Sequence, residues 1–399
     1  MKLASWLNQI PEKLGRVSSR NKVISEIDGL RFLAAFPVVI QHLSERVVRN
    51  LNVDYVQGKE FFISSFLTSR GFVGVYIFFI VSGFIMAFPF ANHYLFGKPM
   101  SGTLEYYKNR FSRLIPPYAL ALTALFLLLL VINYYPKLEL WRHYLASLFF
   151  LHNTVYNGWS PINPTIWTLE IQVQFYCCLP LIAWLVYRFR STWGRRIVVV
   201  IAILALHVIQ DRSGMLFDWG YLNIIGNLQY FLVGMLLADL YLIEWSGGVV
   251  RSKIFDLVAV VAITCALFAW NWDHNIYSRL LFLALLFVFF YAMFRSVWIN
   301  RFLANRWVMA LGSMCFTIYL VHLPLAEFFI IFSKHIHFTN YLSINMLIQV
   351  MLYLPLLIGA SVVYFLLIEK PTMKKDWPRR LAEFFGLKSY EERKLGNEA

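Results

Sequence analysis

The sequence predicts an all-α polytopic integral membrane protein, with about ten transmembrane helices plus one partial or re-entrant element. Three observations carry that prediction. The 399 residues are 59% hydrophobic and 15% charged, against about 45–50% and about 25% in soluble domains. The apolar excess lies in long blocks, and several, such as Gly71–Phe90 and Leu342–Ile368, reach the roughly 20 residues that a helix needs to cross a hydrocarbon core of about 30 Å. No run shows the alternating polarity of a membrane β-strand, so backbone polar groups are to be satisfied inside helices.

The elements follow in order. Residues 1–26 hold five basic residues and no apolar core of signal-peptide length; a cytoplasmic tail is expected there. The membrane domain is expected over 27–372 and a charged cytoplasmic tail over 373–399. Spans are expected at Ile27–Leu43, Gly71–Phe90, Leu114–Ile132, Ile166–Tyr187, Ile197–Ile209, Leu222–Ile243, Ile254–Trp270, Leu280–Phe294, Trp307–Phe332 and Leu342–Ile368. A short block, Tyr144–Leu151, is the doubtful element. If it crossed, Arg188, Arg190, Arg195 and Arg196 would lie outside together with the basic C-terminal segment. If it dips in and returns, both termini are cytoplasmic. Loops and tails then hold 26 Lys and Arg inside and 9 outside, Arg31 within the first span completing the 36. Positive charge marks the cytoplasmic side, so the second arrangement is preferred.

The net charge of +14 has the same explanation, and nucleic acid is not an expected partner. Cys177, Cys178, Cys265 and Cys315 lie in apolar stretches without ligand or disulfide spacing, and are read as packing residues. The expected location is integral to a membrane, with both termini cytoplasmic. Nothing in the pattern specifies an oligomeric state.

Ionisable residues inside spans are costly, so each marks a functional hypothesis. The first span carries Asp28, Arg31 and His42. Arg31 and His42 are eleven residues apart, which at about 100° and about 1.5 Å per residue puts them on one face, about 16 Å apart along the axis. Asp28 is one turn before Arg31, within ion-pairing reach. His42 reads equally as a hydrogen-bonded packing residue. Arg110 and Arg113 share a face where the third span begins, beside Lys108; paired arginines suit phosphate capture, and they also suit ordinary anchoring. Trp167 opens a span whose first turns hold Glu170, Gln172 and Gln174, either lining a cavity or bonding neighbouring helices. Ser82-Gly83 breaks the second span with small residues, Gly83 being read as a close-packing position. Tyr319 and His322 precede Pro324 in another span. The chain has no HExxH, Walker loop, GxSxG or Cys/His metal pattern.

Taken in order, these sets resemble the membrane acyltransferase-3 family, which includes O-acetyltransferases of cell-surface glycans. The resemblance rests on Glu26-Ile-Asp-Gly-Leu-Arg-Phe-Leu-Ala-Ala with Gln41-His42, on Gly74-Val-Tyr-Ile-Phe-Phe-Ile-Val-Ser-Gly-Phe-Ile, on Arg110-Phe-Ser-Arg113, on Trp167-Thr-Leu-Glu with Phe175-Tyr176, on Tyr319-Leu-Val-His-Leu-Pro and on Ile368-Glu-Lys-Pro371. It covers about residues 24–372. It implies an acyl-CoA donor, usually acetyl-CoA, taken from the cytoplasm as a substrate with no tightly bound cofactor, and an acceptor hydroxyl on a glycan or lipid-linked glycan. It implies functional roles for Arg31, His42, Arg110 and Arg113. On that basis Arg110, Arg113 and Lys108 are expected to bind acyl-CoA. His42, Arg31 and Glu170 are expected to be catalytic, Glu170 orienting His42 or the acceptor. Asp28, Ser82, Trp167, Gln172, Tyr319 and His322 are expected to support them. His42 would act as general base or carry the acyl group; the residues do not separate these roles. Many relatives have glutamate at the position of Gln172. Many also carry a hydrolase-like C-terminal domain that these residues do not include, so the membrane domain is expected to act alone or with a separate partner. The competing reading is a transporter or flippase for a lipid-linked sugar or small metabolite.

Overall fold

The computed structural model describes residues 10–15, 24–100, 102–218, 220–374, 376–377 and 379–380. Most of both expected tails lies outside these. The described chain is all helical, with no strand among the described residues. Its helices are α1 (Ser25–Asn50), α2 (Lys59–Thr68), α3 (Phe72–Phe96), α4 (Thr103–Val131), α5 (Lys137–Leu148), α6 (His152–Tyr156), α7 (Trp167–Tyr187), α8 (Thr192–Ser213), α9 (Ile224–Ile243), α10 (Ile254–Ala269), α11 (Ile276–Arg295), α12 (Trp298–Leu303), α13 (Arg306–Ser313), α14 (Cys315–Ser333) and α15 (Leu342–Tyr364). Eight segments among the described residues are long and apolar enough to cross a membrane: α2–α3 together, α4, α7, α8, α9, α11, α14 and α15 with its C-terminal extension. α10 is apolar but shorter, and α1 carries charges in its first and last turns. The chain is a polytopic membrane protein.

Burial sorts the helices. α3 and α9 are enclosed on nearly all sides, whereas α4, α8 and α15 turn broad apolar flanks outward. Leu127, Leu128 and Val131 on α4 and Leu352, Leu356 and Leu367 near the C-terminal end are exposed. Such a surface is stable only against hydrocarbon. α3 packs most extensively on α9, and small residues allow it. A Cβ on Gly83 would sit 2.2 Å from the Phe231 carbonyl oxygen, and one on Gly234 would sit 2.1 Å from that of Ile80. The close-packing reading of Gly83 thus has a direct steric cause. α1 lies against α3, α13 and α14, with Pro37 inside it.

Two boundaries differ from expectation, and a third element keeps the expected form. α1 runs a further two turns past Leu43, because its outer turns are amphipathic and pack on α14. The expected span Trp307–Phe332 is two helices. Gly312 packs so tightly on α1 that a Cβ would meet the Asp28 carbonyl oxygen at 1.7 Å, and the chain turns at Met314 (φ −92°, ψ 5°) before α14 begins. The block 144–151 covers the last turn of α5 and the turn after it, and the 12 residues of α5 reach about 18 Å at about 1.5 Å each, short of a bilayer core. α5 runs back along α4, with Tyr144 stacked on Phe126 and its hydroxyl bonded to Thr123 at 2.8 Å. This fits an element that enters and returns.

Candidate functional site

The six motifs converge on one cavity. Its empty space is about 1220 Å³ when the open solvent at its mouth is counted. Arg31 from α1, Ser82 from α3, Arg110 and Arg113 from α4, Gln172 from α7 and Tyr319 from α14 all line it. Apolar side chains from α3, among them Val75, Phe78 and Ile85, complete the wall.

Three arginines line this cavity. Arg31 is paired with Asp28 at 3.8 Å, yet its Nη1 is buried without a hydrogen-bond partner. Neither Arg110 nor Arg113 forms an ion pair among the described residues. Two half-buried guanidiniums on one helix face repel each other, and a bound phosphate relieves that repulsion. Across the cavity, Gln172 Nε2 donates to Ser82 Oγ at 2.6 Å and ties α7 to α3. A glutamate at that position could not donate to the hydroxyl, so the amide sets the direction of this bond.

Tyr319 closes the inner end. Its hydroxyl donates to the Thr165 carbonyl at 3.1 Å and accepts from Thr168 Oγ1 at 2.8 Å. Behind it lies His322, 1% exposed, with Nδ1 on the Tyr319 carbonyl oxygen at 2.7 Å and Nε2 without a partner. Its ring lies 5.4 Å from that of His42. Arg31 and His42 therefore face opposite sides of a wall made by Tyr319 and His322.

His42 Nδ1 meets Glu45 Oε2 at 3.0 Å. Arg46 bonds the same carboxylate oxygen at 2.7 Å and Glu327 at 2.9 Å, while Gln41 Nε2 donates to the other oxygen of Glu45 at 3.0 Å. A carboxylate on Nδ1 selects the tautomer whose Nε2 carries the lone pair. Sequence reasoning missed Glu45, Arg46 and Glu327. Glu45 stands three residues after His42, on the same helix face, and that spacing was the available signal. Glu369 was quoted in the closing motif but not assigned to the site. It lies on the cavity wall, accepts from Thr317 Oγ1, and sits in a π-helical turn, Phe365–Glu369. Such insertions re-aim side chains and are frequent at functional sites.

Three expected residues stand elsewhere. Glu170 is 0% exposed and accepts the Asn153 backbone N–H at 2.9 Å; no hydrogen bond or ion pair joins it to His42. It holds the 152–153 turn onto α7. Trp167 stacks on Phe72 and meets Phe79 edge-on outside the cavity lining. Lys108 is exposed and does not line the cavity either. Beside the Glu170 turn, His143 Nδ1 and His152 Nε2 lie 2.9 Å apart. Burial and the neighbouring His143 push His152 down to about 4, and burial lowers His143 too.

A family model described as an acyltransferase domain, the acyltransferase-3 model, matches residues 24–367. The chain belongs to the acyltransferase-3 family. It is similar to the O-acetyltransferase OatA of Staphylococcus aureus strain NCTC 8325 / PS 47, with 24% identity over 332 residues, covering 76% of this chain and 50% of that protein. The OatA of strain COL matches to the same extent. The chain thus spans about half the length of the curated relatives it matches. No solved structure matches it. All six motifs contribute to the walls of one cavity, and α1 is the helix that carries both Arg31 and His42.

Proposed function

We propose that this chain is a membrane-embedded O-acyltransferase that moves an acyl group, acetyl by family precedent, from acyl-CoA to a hydroxyl of a cell-surface or lipid-linked glycan. The observation that carries the reading is the pairing of an arginine-lined cavity with a carboxylate-bound histidine farther along the same helix, inside a family whose relatives are named O-acetyltransferases.

In this reading Arg110 and Arg113 hold the phosphates of coenzyme A at the cavity mouth. The pantetheine arm runs along α1 past Arg31, which Asp28 steadies. His42 Nε2 removes the proton of the acceptor hydroxyl as its oxygen attacks the thioester carbonyl. The tetrahedral intermediate collapses, the carbon–sulfur bond breaks, and the thiolate leaves and takes up the proton that His42 held. The carboxylate of Glu45 stabilises the imidazolium between those steps. The alternative order, with His42 itself acylated first, uses the same residues and the same balance. The apolar wall around the cavity excludes water that would hydrolyse the thioester. The membrane orientation we adopt puts the arginines toward the cytoplasm, in accord with the distribution of Lys and Arg.

The test is coenzyme A release by purified protein with acetyl-CoA, with and without a glycan acceptor. We expect acceptor-dependent release that His42→Ala abolishes while membrane insertion and yield are kept. Full activity in that variant, or a protein that translocates a lipid-linked sugar without releasing coenzyme A, would overturn the reading.

A further inference from the structure

Beyond His42, the last turns of α1 and the facing side of α14 hold an unbroken chain of charged groups. His42 Nδ1 meets Glu45 Oε2 at 3.0 Å. Arg46 Nη1 donates to that same oxygen at 2.7 Å. Arg46 Nε donates to Glu327 Oε1 at 2.9 Å, and its Nη2 lies 2.8 Å from the same atom. Arg46 is 7% exposed. A guanidinium so far removed from water is costly unless carboxylates are paired with it, and here there is one on each side. Glu45 is fixed in turn by three donors, Gln41 Nε2 on one oxygen and His42 and Arg46 on the other. Gln41 is itself anchored, since its Oε1 accepts the Phe72 backbone N–H at 3.3 Å.

The signs alternate along this chain. Glu327, Arg46 and Glu45 carry minus, plus and minus, which leaves a net charge of −1 beside a neutral imidazole and zero beside an imidazolium. Each member therefore acts on His42 with its own sign. Glu45 favours the protonated ring by direct contact. Arg46 opposes it, by repulsion and by drawing on the carboxylate oxygen that the imidazole uses. Glu327 pulls Arg46 the other way and weakens that opposition. Glu45 without Arg46 would keep a proton on His42 at rest, when a base has to be free. Arg46 without Glu327 would leave the imidazolium poorly supported once it forms.

The other groups around His42 are few. From α14 the His322 ring faces it at 5.4 Å, and from α15 the Tyr353 hydroxyl donates to the His322 carbonyl oxygen. Arg70, ahead of α3, is turned onto the Phe66 and Trp270 rings. Glu60 of α2 accepts from Ser343 N. α12 and α13 meet α1 at Gly29 and Asp28, at its opposite end. Among the described residues, no further charged side chain is bonded to His42, Glu45 or Arg46.

We propose that Arg46 and Glu327 are positioning residues that set the proton affinity of His42 from opposite directions, leaving the ring free before transfer and supporting the imidazolium once it has taken the acceptor's proton. The use made of that proton rests on the acyl-transfer reading; the proton affinity is a property of these four side chains alone.

Diethyl pyrocarbonate modifies only the unprotonated imidazole. Its rate at His42 against pH, followed by mass spectrometry of the peptide that carries His42, reads the state of the ring in full-length protein in detergent with no turnover. Arg46→Gln is expected to move the midpoint of that profile to higher pH by about half a unit or more, and Glu327→Gln to lower pH by about as much, the scale of a neighbouring charge at a partly exposed site. Arg46→Lys, which keeps the charge, is expected to stay close to the unmodified midpoint. The Glu327 side chain is 51% exposed, so its amide variant carries the test alone should Arg46→Gln fail to accumulate. A Glu327→Gln midpoint that stays in place or rises, or two midpoints that move together, overturns the proposal, because a bridge that merely ties α1 to α14 gives no opposed shifts. Coenzyme A release is measured separately on the unmodified protein. Opposed shifts without any release would count against acyl transfer and leave the setting of His42 intact.

Discussion

At the scale of single residues, the carboxylate in contact with His42 is that of Glu45 and not that of Glu170. Glu170 was the natural candidate for orienting His42, because it stands inside a span next to polar neighbours. Its carboxylate instead receives the Asn153 N–H, whereas Glu45 contacts the imidazole. Two outcomes follow. Glu45→Gln keeps the shape but weakens support of the imidazolium, and should lower kcat by about 10²-fold or more, the usual worth of acid–base assistance, with KM for acyl-CoA little changed. Glu170→Ala leaves a buried N–H unsatisfied, and should reduce stability by about 1–3 kcal/mol, read as a lower melting temperature in detergent. A Glu170→Ala protein with unchanged melting and no turnover would return the catalytic role to Glu170. The sequence made Glu45 easy to pass over, since a charge just beyond an apolar block looks like an interfacial anchor. Glu369 was obscured for another reason: its partner Thr317 is 52 residues away, and no local pattern joins them.

At the scale of elements, the hairpin from α5 into α6 depends on an imidazole pair. The bond between His143 and His152 requires that the two rings not both be protonated. His152 takes up a proton in the unfolded chain near its ordinary value of about 6.5 but only near about 4 when folded. Between those values the unfolded state binds more protons, so stability falls as pH falls through that window. Glu139 opposes the downward pressure on His143 without meeting His152. Thermal melts from pH 7 to pH 4 should show an acid-side loss that His152→Gln reduces; an identical slope in that variant would exclude the pair as its source. The same hairpin shows why hydropathy handled α4 better than α5. α4 is long and apolar, while α5 alternates polar and aromatic residues and declares its place through contacts with Phe126, Thr123 and Tyr118.

At the scale of the molecule, most spans were readable because lipid enforces a coarse rule. A segment that is apolar over a bilayer's width has few other places to be. The ten expected segments all fall on helices. The rule is weakest where helices meet protein instead of lipid. α1 carries Asp28, Arg31, Glu45 and Arg46 because α3, α13 and α14 surround it, and the break at Met314 reflects packing of Gly312 on α1, which no composition window contains. The alternation of helices puts Lys98, after α3, and Asn133, after α4, at opposite ends of the bundle. Single cysteines introduced at these two positions should react with an impermeant thiol reagent from opposite faces of sealed vesicles, Lys98 from the cytoplasmic one. Labelling of both from one side would refute the arrangement adopted here.

The wall formed by Tyr319 and His322 bears on one more matter. A passage from an arginine-lined mouth to a histidine farther along the same helix would, if open at both ends, be a pore, and a cell membrane has to hold its voltage. Tyr319 is clamped through its hydroxyl to Thr165 and Thr168 with a buried imidazole behind it, so on the proposed reaction the acyl group would have to pass side chains that also stand in the way of ions. On the proposed reaction, transfer and insulation are then duties of the same few atoms. Any movement that lets the acyl group by has to be small and brief enough to leave the ion gradient standing.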